Sequence, residues 1–402
     1  MARWRGKRWT FGPGTRLVVA LLATLGAGAG SASAVPAGAA PPLSIAVQGS
    51  TLVDGSHQVV QLRGVDEEST EYWCQFTYSW ASGYSAYNLA DEAQEIATWH
   101  ANAVRVPLNE DCWLGINGEP SLKGDTAAGY RAAIEAFVKD LNAQGMYAIL
   151  DLHWSGDGTA KADGQRQMPD DHSVAFWKSV AAAFKTNPAV LFDVFNEPTG
   201  LTAGQTTDDM ALPVSWSCWR KGGCPVSNSP LGQGLASSTN TYAAVGVQAL
   251  VNAIRAAGAD QPIMIGGLNS ANDLTSWLAN EPKDTLSPPQ LVASYHNYEG
   301  STCASASCWN TTISSVAAEV PVVTGEFGQF SCPNPGFDTT WMDWADAHGV
   351  SYLAWSFANT GTLTCKSSGY APYLLQSNLT TPEATNGTQV YNHLTSFPAP
   401  PG

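Results

Sequence analysis

Basic side chains are scarce in this chain: 19 lysines and arginines stand against 34 aspartates and glutamates, a formal net charge of −15 at pH 7. Such a surface repels polyphosphates and anionic membranes, so no nucleic-acid partner is expected and a neutral partner is the natural one. Long apolar runs are missing as well. The one candidate, Leu17 to Leu25, falls short of the roughly 20 residues that a bilayer-spanning helix needs. The eight cysteines contain no Cys-x-x-Cys, which leaves a zinc ribbon or a thioredoxin-type redox site unsupported. Also absent are a Gly-x-Ser-x-Gly elbow, a His-Glu-x-x-His helix, a phosphate-binding loop and a Gly-rich dinucleotide fingerprint. No period of about 20 to 50 residues repeats, which argues against a solenoid.

What is present begins with a leader. Arg3, Arg5, Lys7, Arg8 and Arg16 precede the short apolar run, and Ser31-Ala32-Ser33-Ala34 follows it. This is the layout of a signal peptide over residues 1–34, with cleavage expected after Ala34; a retained N-terminal anchor is the alternative. Residues 35–43, rich in Ala, Pro and Gly, read as a disordered lead-in. Without the leader, 14 basic residues face 34 acidic ones, a net charge of −20. A secreted, extracellular, monomeric chain with no membrane association after cleavage is expected. All eight cysteines lie beyond the leader, as suits up to four disulfides in an oxidising compartment. Cys218–Cys224 and Cys303–Cys308 would close their own loops. Cys74–Cys112 and Cys332–Cys365 are expected because each pair follows consecutive strands.

The periodicity opens with a hairpin, Ser44 to Val47 and Thr51 to Val53, and then alternates strand-like with helix-like segments. Strands are expected at Val60–Asp66, Ala103–Pro107, Tyr147–His153, Val190–Glu197, Ile263–Leu268, Leu291–His296, Val322–Glu326 and Tyr352–Phe357. Helices are expected at Tyr87–His100, Thr126–Gln144, Ser173–Thr186, Ser237–Ala257, Ala271–Ala279, Ile313–Ala318, Thr339–His348 and Glu383–Thr395. Eight such units imply parallel pairing through right-handed crossovers. The fold class is α/β: a (β/α)8 TIM barrel with a short N-terminal β-hairpin over residues 44–397, followed by a Pro-rich tail at 398–402. A doubly wound open sheet is the alternative.

Two of these strands end in a glutamate. Val190 to Pro198 is an apolar run that stops at Asn196-Glu197-Pro198, and Val322 to Gly328 carries Glu326 between glycines. A carboxylate at the mouth of a buried strand is costly unless it is paired or functional. In a closed barrel both would face the C-terminal mouth, where such folds build their chemistry. Two carboxylates across one cleft are the minimal apparatus for glycoside hydrolysis, one protonated to serve the leaving oxygen and one ionised to attack. Arg105, His153 and His296 fall at the ends of other strands, with Tyr298 two residues beyond His296, and Trp355 in the eighth could stack on a sugar ring. The stretch from Asp157 to Asp171 holds Asp157, Asp163, Asp170 and Asp171 but lacks the spacing of a calcium loop, so no metal is expected. Asn310, Asn378 and Asn386 fit the glycosylation sequon.

Arg63-Gly64-Val65, Asn102 to Pro107, Asp151-Leu152-His153, Phe195-Asn196-Glu197-Pro198, His296-Asn297-Tyr298, Gly325-Glu326-Phe327-Gly328 and Trp355 together resemble glycoside hydrolase family five, the cellulase-like family. The resemblance runs from about Ser44 to the end of the barrel. It implies a retaining mechanism with Glu197 as acid/base and Glu326 as nucleophile, and no cofactor. It further implies that Asn196 binds the sugar 2-hydroxyl, that Arg105 and Tyr298 steady Glu326, that His153 and His296 line the cleft, and that Trp355 floors the central subsite. The expected activity is hydrolysis of a neutral β-linked polysaccharide or oligosaccharide, first an endo-β-1,4-glucanase, alternatively a β-mannanase or an exo-acting β-glycosidase. A non-catalytic carbohydrate-binding protein is the reading from another class. One departure stands out: the first strand ends in Asp66, where many relatives have asparagine, and residues 67–80 follow no assignable pattern. That loop bears on substrate choice.

Overall fold

The computed structural model describes residues 43–75, 89–121, 126–200, 212–230, 240–332, 336–359 and 372–401. The leader and lead-in to residue 42, Cys365, and the aromatic residues Phe76, Tyr78, Trp80 and Tyr84 lie outside them. Eight short runs rich in Val, Ile, Leu and Ala form parallel strands. Strands with two apolar faces need a filled interior and a coat of helices. They are β1 (Arg63–Asp66), β2 (Ala103–Asn109), β3 (Tyr147–Trp154), β4 (Val190–Asp193), β5 (Ile263–Gly266), β6 (Leu291–Tyr298), β7 (Val322–Gly328) and β8 (Ser351–Ala354). Each pairs with the next in sequence and β8 returns to β1, which closes a (β/α)8 barrel. The expected N-terminal hairpin is present as Ile45–Gln48 and Thr51–Asp54.

Strand periodicity sorts the interior into layers. Leu62, Ala103, Ile149, Leu191, Met264, Val292 and Leu353 form one apolar cluster, to which Ile45, Val47 and Leu52 of the hairpin also belong. The hairpin is fastened there by Gln290, which accepts the Val47 N–H at 2.7 Å and donates to the Val47 carbonyl at 3.1 Å. Two residues on from Ala103, Ile149 and Leu191, the same face carries Arg105, Asp151 and Asp193, all buried. A larger cluster, including Val104, Leu150 and Phe192 with Trp99, Trp177, Trp277 and Trp341, fills the space between strands and helices. The inside of the barrel thus turns from apolar to polar toward the C-terminal ends of its strands.

Five expected helices appear close to their expected bounds, as Leu89–Thr98, Ala127–Ala143, Ser173–Phe184, Phe337–His348 and Asn386–Leu394. Three others differ. The helix expected over Ser237–Ala257 is confined to Val247–Ala256, because Thr241–Val245, with its alternating exposure, pairs antiparallel with Gly222–Ser227. The helix expected at Ala271–Ala279 shrinks to Trp277–Asn280. Asn269, Ser270 and Ala271 adopt left-handed backbone (φ 57°, 53° and 56°), and Asp273 ties a turn by accepting the Thr275 N–H at 2.8 Å. The segment expected at Ile313–Ala318 starts earlier, with a π-helical turn over Trp309–Ile313. Strand ends shift too. β4 stops at Asp193, so Glu197 lies four residues beyond the ladder; Trp355 follows β8; Arg105 is inside β2, and Tyr298 is the last residue of β6.

Cys74–Cys112, Cys218–Cys224 and Cys303–Cys308 are bonded as expected. Cys365, the expected partner of Cys332, lies outside the described residues. Asn386 is buried and donates to the Gln329 carbonyl at 2.9 Å, which closes that sequon to a glycan. Among the described residues no helix is long and apolar enough to cross a membrane.

Among the described glycines, Gly64 meets the tightest backbone approach, beside Ala103 in the β1–β2 ladder. A Cβ there would come within 1.8 Å of the Ala103 carbonyl oxygen. Gly64→Ala must push β1 from β2 and is expected to cost about 3 kcal/mol or more. A urea midpoint equal to that of the parent would show that the ladder yields without cost.

Candidate active site

β2 is buried along its whole length and pairs on one side with β1, setting Asp66 opposite Arg105. On its other side Pro107 faces Asp151 of β3, and Asp151 in turn faces Asp193 of β4. The guanidinium of Arg105, fully buried, collects these neighbours. Its Nη1 lies 3.2 Å from Asp66 Oδ1 and 2.8 Å from Glu326 Oε1, its Nε 3.0 Å from Asp193 Oδ2, and its Nη2 3.0 Å from Asp151 Oδ2 and 2.8 Å from Asn196 Oδ1. Five donors in a planar fork suit this task, which a lysine could not perform. Burial pushes Asp151 up to about 7 and Asp193 up to about 6 although Arg105 opposes both, and holds Asp66 well above the usual carboxylate range. Four carboxylates around one cation are therefore not all ionised at neutral pH.

The network also orients its neighbours. Burial lowers His153 to about 4, so the ring is neutral at neutral pH. With Asp151 Oδ2 2.6 Å from Nδ1, the proton sits on Nδ1, and Nε2 accepts from Asn196 Nδ2 at 3.4 Å. The Asn196 amide is thus fixed, its oxygen on Arg105 and its nitrogen on His153. Trp355, half-buried, stacks on His153 at 5.5 Å between centroids and 13° between planes. This gives the cleft a flat aromatic wall.

Glu326 is placed by an irregularity in β7. The β6–β7 register shifts between Tyr295 and His296, so that His296 faces Glu326. Gly325 makes this approach feasible, since a Cβ there would lie 2.8 Å from His296 Nε2. One Glu326 oxygen accepts from Arg105 and the other from Tyr298 at 2.7 Å. Glu197 has left-handed backbone (φ 48°), uncommon for a residue with a side chain. Its Oε1 is 3.0 Å from His296 Nδ1, and its Oε2 accepts from Gln165 at 3.3 Å. Burial raises its pKa above the ordinary glutamate value, against the Gln165 hydrogen bond and the nearby His153 and Arg105. His296 Nδ1 also lies 3.4 Å from Glu326 Oε2, and burial lowers this ring to about 4. The side chain of Glu197 is 18% exposed and that of Glu326 5%, so Glu197 is the one nearer solvent.

All eight residues singled out in the sequence (Arg105, His153, Asn196, Glu197, His296, Tyr298, Glu326 and Trp355) meet at this mouth. Four participants were missed. Asp193 shares the inward face of Arg105 and could have been found by period-two alternation alone. Asp66 drew notice only as a departure, and Asp151 only as part of a motif. Gln165 reaches Glu197 from within an irregular loop, where no periodic signal exists. Two groups among the described residues bring three metal-type ligand atoms within 4.8 Å of one another: Glu197, His296 and Glu326 here, and Glu110, Asp170 and His172 at the root of the loop after β3.

A closed parallel barrel with two glutamates across its C-terminal mouth defines a class, that of barrel proteins with paired-carboxylate sites. Residues 53–361 match the model of cellulase, glycosyl hydrolase family 5, and the chain belongs to that family. The endoglucanase CelA of Streptomyces lividans is 22% identical over 329 residues, 78% of this chain and 57% of that protein. The chain spans 26%, 57% and 48% of the length of the first curated relatives it matches. A β-glucanase from Saccharophagus degradans, solved in complex with cellotetraose, has the same fold at a TM-score of 0.60 and 18% identity, covering 89% of this chain and 94% of that one. A β-mannanase from Streptomyces thermolilacinus, solved with mannohexaose, gives 0.59 at 20% identity, covering 89% and 97%.

Removing the guanidinium strands a set of buried acids. Arg105→Met is expected to cost about 3–5 kcal/mol, the typical penalty for taking one partner from a buried ion pair. Denaturant unfolding checks this, and a stability equal to the parent would mean that the acids need no cation.

Proposed function

We propose that this chain is a retaining β-glycosidase, with Glu197 as acid/base and Glu326 as nucleophile. The observation that carries the reading is the separation of the two carboxylates. An oxygen of Glu197 and one of Glu326 lie within 4.8 Å of each other. Retaining enzymes hold the two carboxyl groups about 5–5.5 Å apart, whereas inverting ones need about 6.5–9.5 Å to admit a water, and so close an oxygen–oxygen approach favours the shorter separation. The raised pKa of Glu197 supports its role as proton donor. The donors on both oxygens of Glu326 support its role as the group aimed at the anomeric carbon.

In the first step a Glu326 oxygen bonds to the anomeric carbon while the glycosidic C–O bond breaks, and Glu197 passes its proton to the departing oxygen. Glu197, now ionised, then takes a proton from water, whose oxygen displaces Glu326 from the same carbon. Two inversions leave the configuration unchanged. Arg105 and Tyr298 would hold Glu326 in line, Asn196 would bond the 2-hydroxyl, His153 and His296 would line the cleft, and Trp355 would carry the ring. The first-choice substrate is a β-1,4-glucan cleaved internally, supported by the endoglucanases among the relatives. A β-mannan is the second reading, supported by the mannanase neighbour. Secretion is part of the proposal, supported by the leader and by three disulfides, which belong to oxidising compartments.

Product analysis on carboxymethyl-cellulose, mannan and short β-oligosaccharides tests the activity, and release from none of them would sink it. Glu326→Gln is expected to lower turnover by several orders of magnitude while binding of oligosaccharide survives; unchanged turnover would move the nucleophile elsewhere. Glu197 also makes a pH prediction. The Gln165 hydrogen bond favours its ionised form, so Gln165→Ala should raise the acid's pKa further. The alkaline limb of kcat/KM should then move to higher pH. A limb that stays in place, or moves down, belongs to another group.

A further inference from the structure

The loop that brings Gln165 to Glu197 is rooted in a second group of acids. β2 runs directly into Glu110, the first residue of the helix Glu110–Leu114, and residues 170–172 lead into the helix Ser173–Phe184. Glu110 and Asp170 are fully buried, and the His172 side chain is 25% exposed. Hydrogen bonds account for only half of each carboxylate. Ser173 Oγ lies 2.9 Å from Glu110 Oε1 and 3.2 Å from Asp170 Oδ1, which also receives the His172 N–H at 3.0 Å. Glu110 Oε2 and Asp170 Oδ2 meet no donor among the described residues. Glu110 Oε2 points instead at His172, 4.0 Å from Nδ1. The adjacent Asp111 provides the contrast, since its two oxygens take the Asn117 amide at 3.1 Å and the Ala162 N–H at 2.9 Å. A buried carboxylate oxygen left bare is costly, and two of them beside an imidazole share one remedy.

We propose that Glu110, Asp170 and His172 bind a divalent cation of the zinc or manganese type. An imidazole in the set disfavours calcium and magnesium, which take oxygen ligands, while two carboxylates suit a borderline ion. Bonds of about 2.0–2.2 Å allow ligand atoms up to about 4.2 Å apart. The three ligand atoms already lie within 4.8 Å of one another, so side-chain movements of under an ångström complete the site. Water can fill the remaining positions from the exposed side of His172. Without the cation, the Nδ1–H of His172 has the Gly156 carbonyl at 3.3 Å and Asp171 Oδ1 at 3.4 Å; binding replaces that proton with the metal. The ion would tie the end of β2 to the root of the loop that carries Gln165. This site stands independently of the proposed reaction.

The test is thermal unfolding and calorimetric titration of the full chain after treatment with chelator, with zinc, manganese or calcium chloride added back. One equivalent of zinc or manganese is expected to bind and to raise Tm by several degrees, calcium by much less. The shift should vanish in His172→Gln and in Glu110→Gln and survive in Glu326→Gln. If the two carboxyls simply share a proton, no metal shift appears and Glu110→Gln leaves Tm unchanged or higher, which overturns the proposal. A shift retained in His172→Gln, or lost in Glu326→Gln, places the ion elsewhere and overturns it too. His172 is the decisive position if Glu110→Gln does not fold, because its partly exposed ring can be replaced without opening the core.

Discussion

One buried guanidinium organises the upper layer of this barrel. Arg105 touches acids from β1, β3, β4 and β7 and the amide that follows β4. Each is held within hydrogen-bond distance at a depth where an unpaired charge would be costly. The cation does not neutralise the set, and burial keeps part of it protonated. Its main effect is therefore geometric. A fork of five donors fixes the bearings of Glu326 and Asn196 relative to four strands at once. That kind of rigidity lets a site built on strand ends hold a small tolerance.

Around that anchor the two glutamates sit in different surroundings. Glu326 is deep, with Arg105 and Tyr298 each donating to one oxygen. Glu197 is nearer solvent, on a left-handed turn beyond its strand, with a neutral imidazole and one amide as partners. Environment thus distinguishes two chemically identical side chains, the condition under which one carboxyl can stay protonated while its neighbour ionises. The β7 irregularity matters as much as the residue types. Without the register shift at Tyr295/His296 and the bare Gly325, Glu326 and His296 could not face each other so closely.

Residues 67–71, directly after β1, are acidic and buried. Glu67 accepts from Thr70 at 2.7 Å, Glu68 accepts from Ser356 beside the Trp355 platform, and Glu71 accepts the Ser69 N–H at 3.0 Å. Burial raises Glu68 to about 7, so near neutral pH it can either donate or accept at that side of the cleft. In sequence this stretch follows no assignable pattern; in the structure it lies beside the aromatic wall of the cleft.

Fold class and the eight principal residues were legible in the chain because both depend on local, repeating signals. Apolar runs separated by amphipathic segments imply parallel strands with helical crossovers, as a barrel needs, and a charge at the end of such a run stands out. Less legible were the places where no period operates. In sequence the strand Thr241–Val245 merges with the helix after it, because alternation over five residues competes poorly with an amphipathic run. The apolar run extends the expected strand to Glu197, whereas the ladder stops four residues earlier. Periodicity by itself determined the alternation of eight strands with helices that suits a barrel, and the charges at strand ends, with the motifs around them, singled out eight of the side chains that gather at its mouth. Only the tertiary structure decided their partners: the four acids on Arg105, Gln165 on Glu197, and the bare carboxylate oxygens of Glu110 and Asp170. Those contacts join residues far apart in the chain, and they depend on strand register and loop path, which no local pattern encodes.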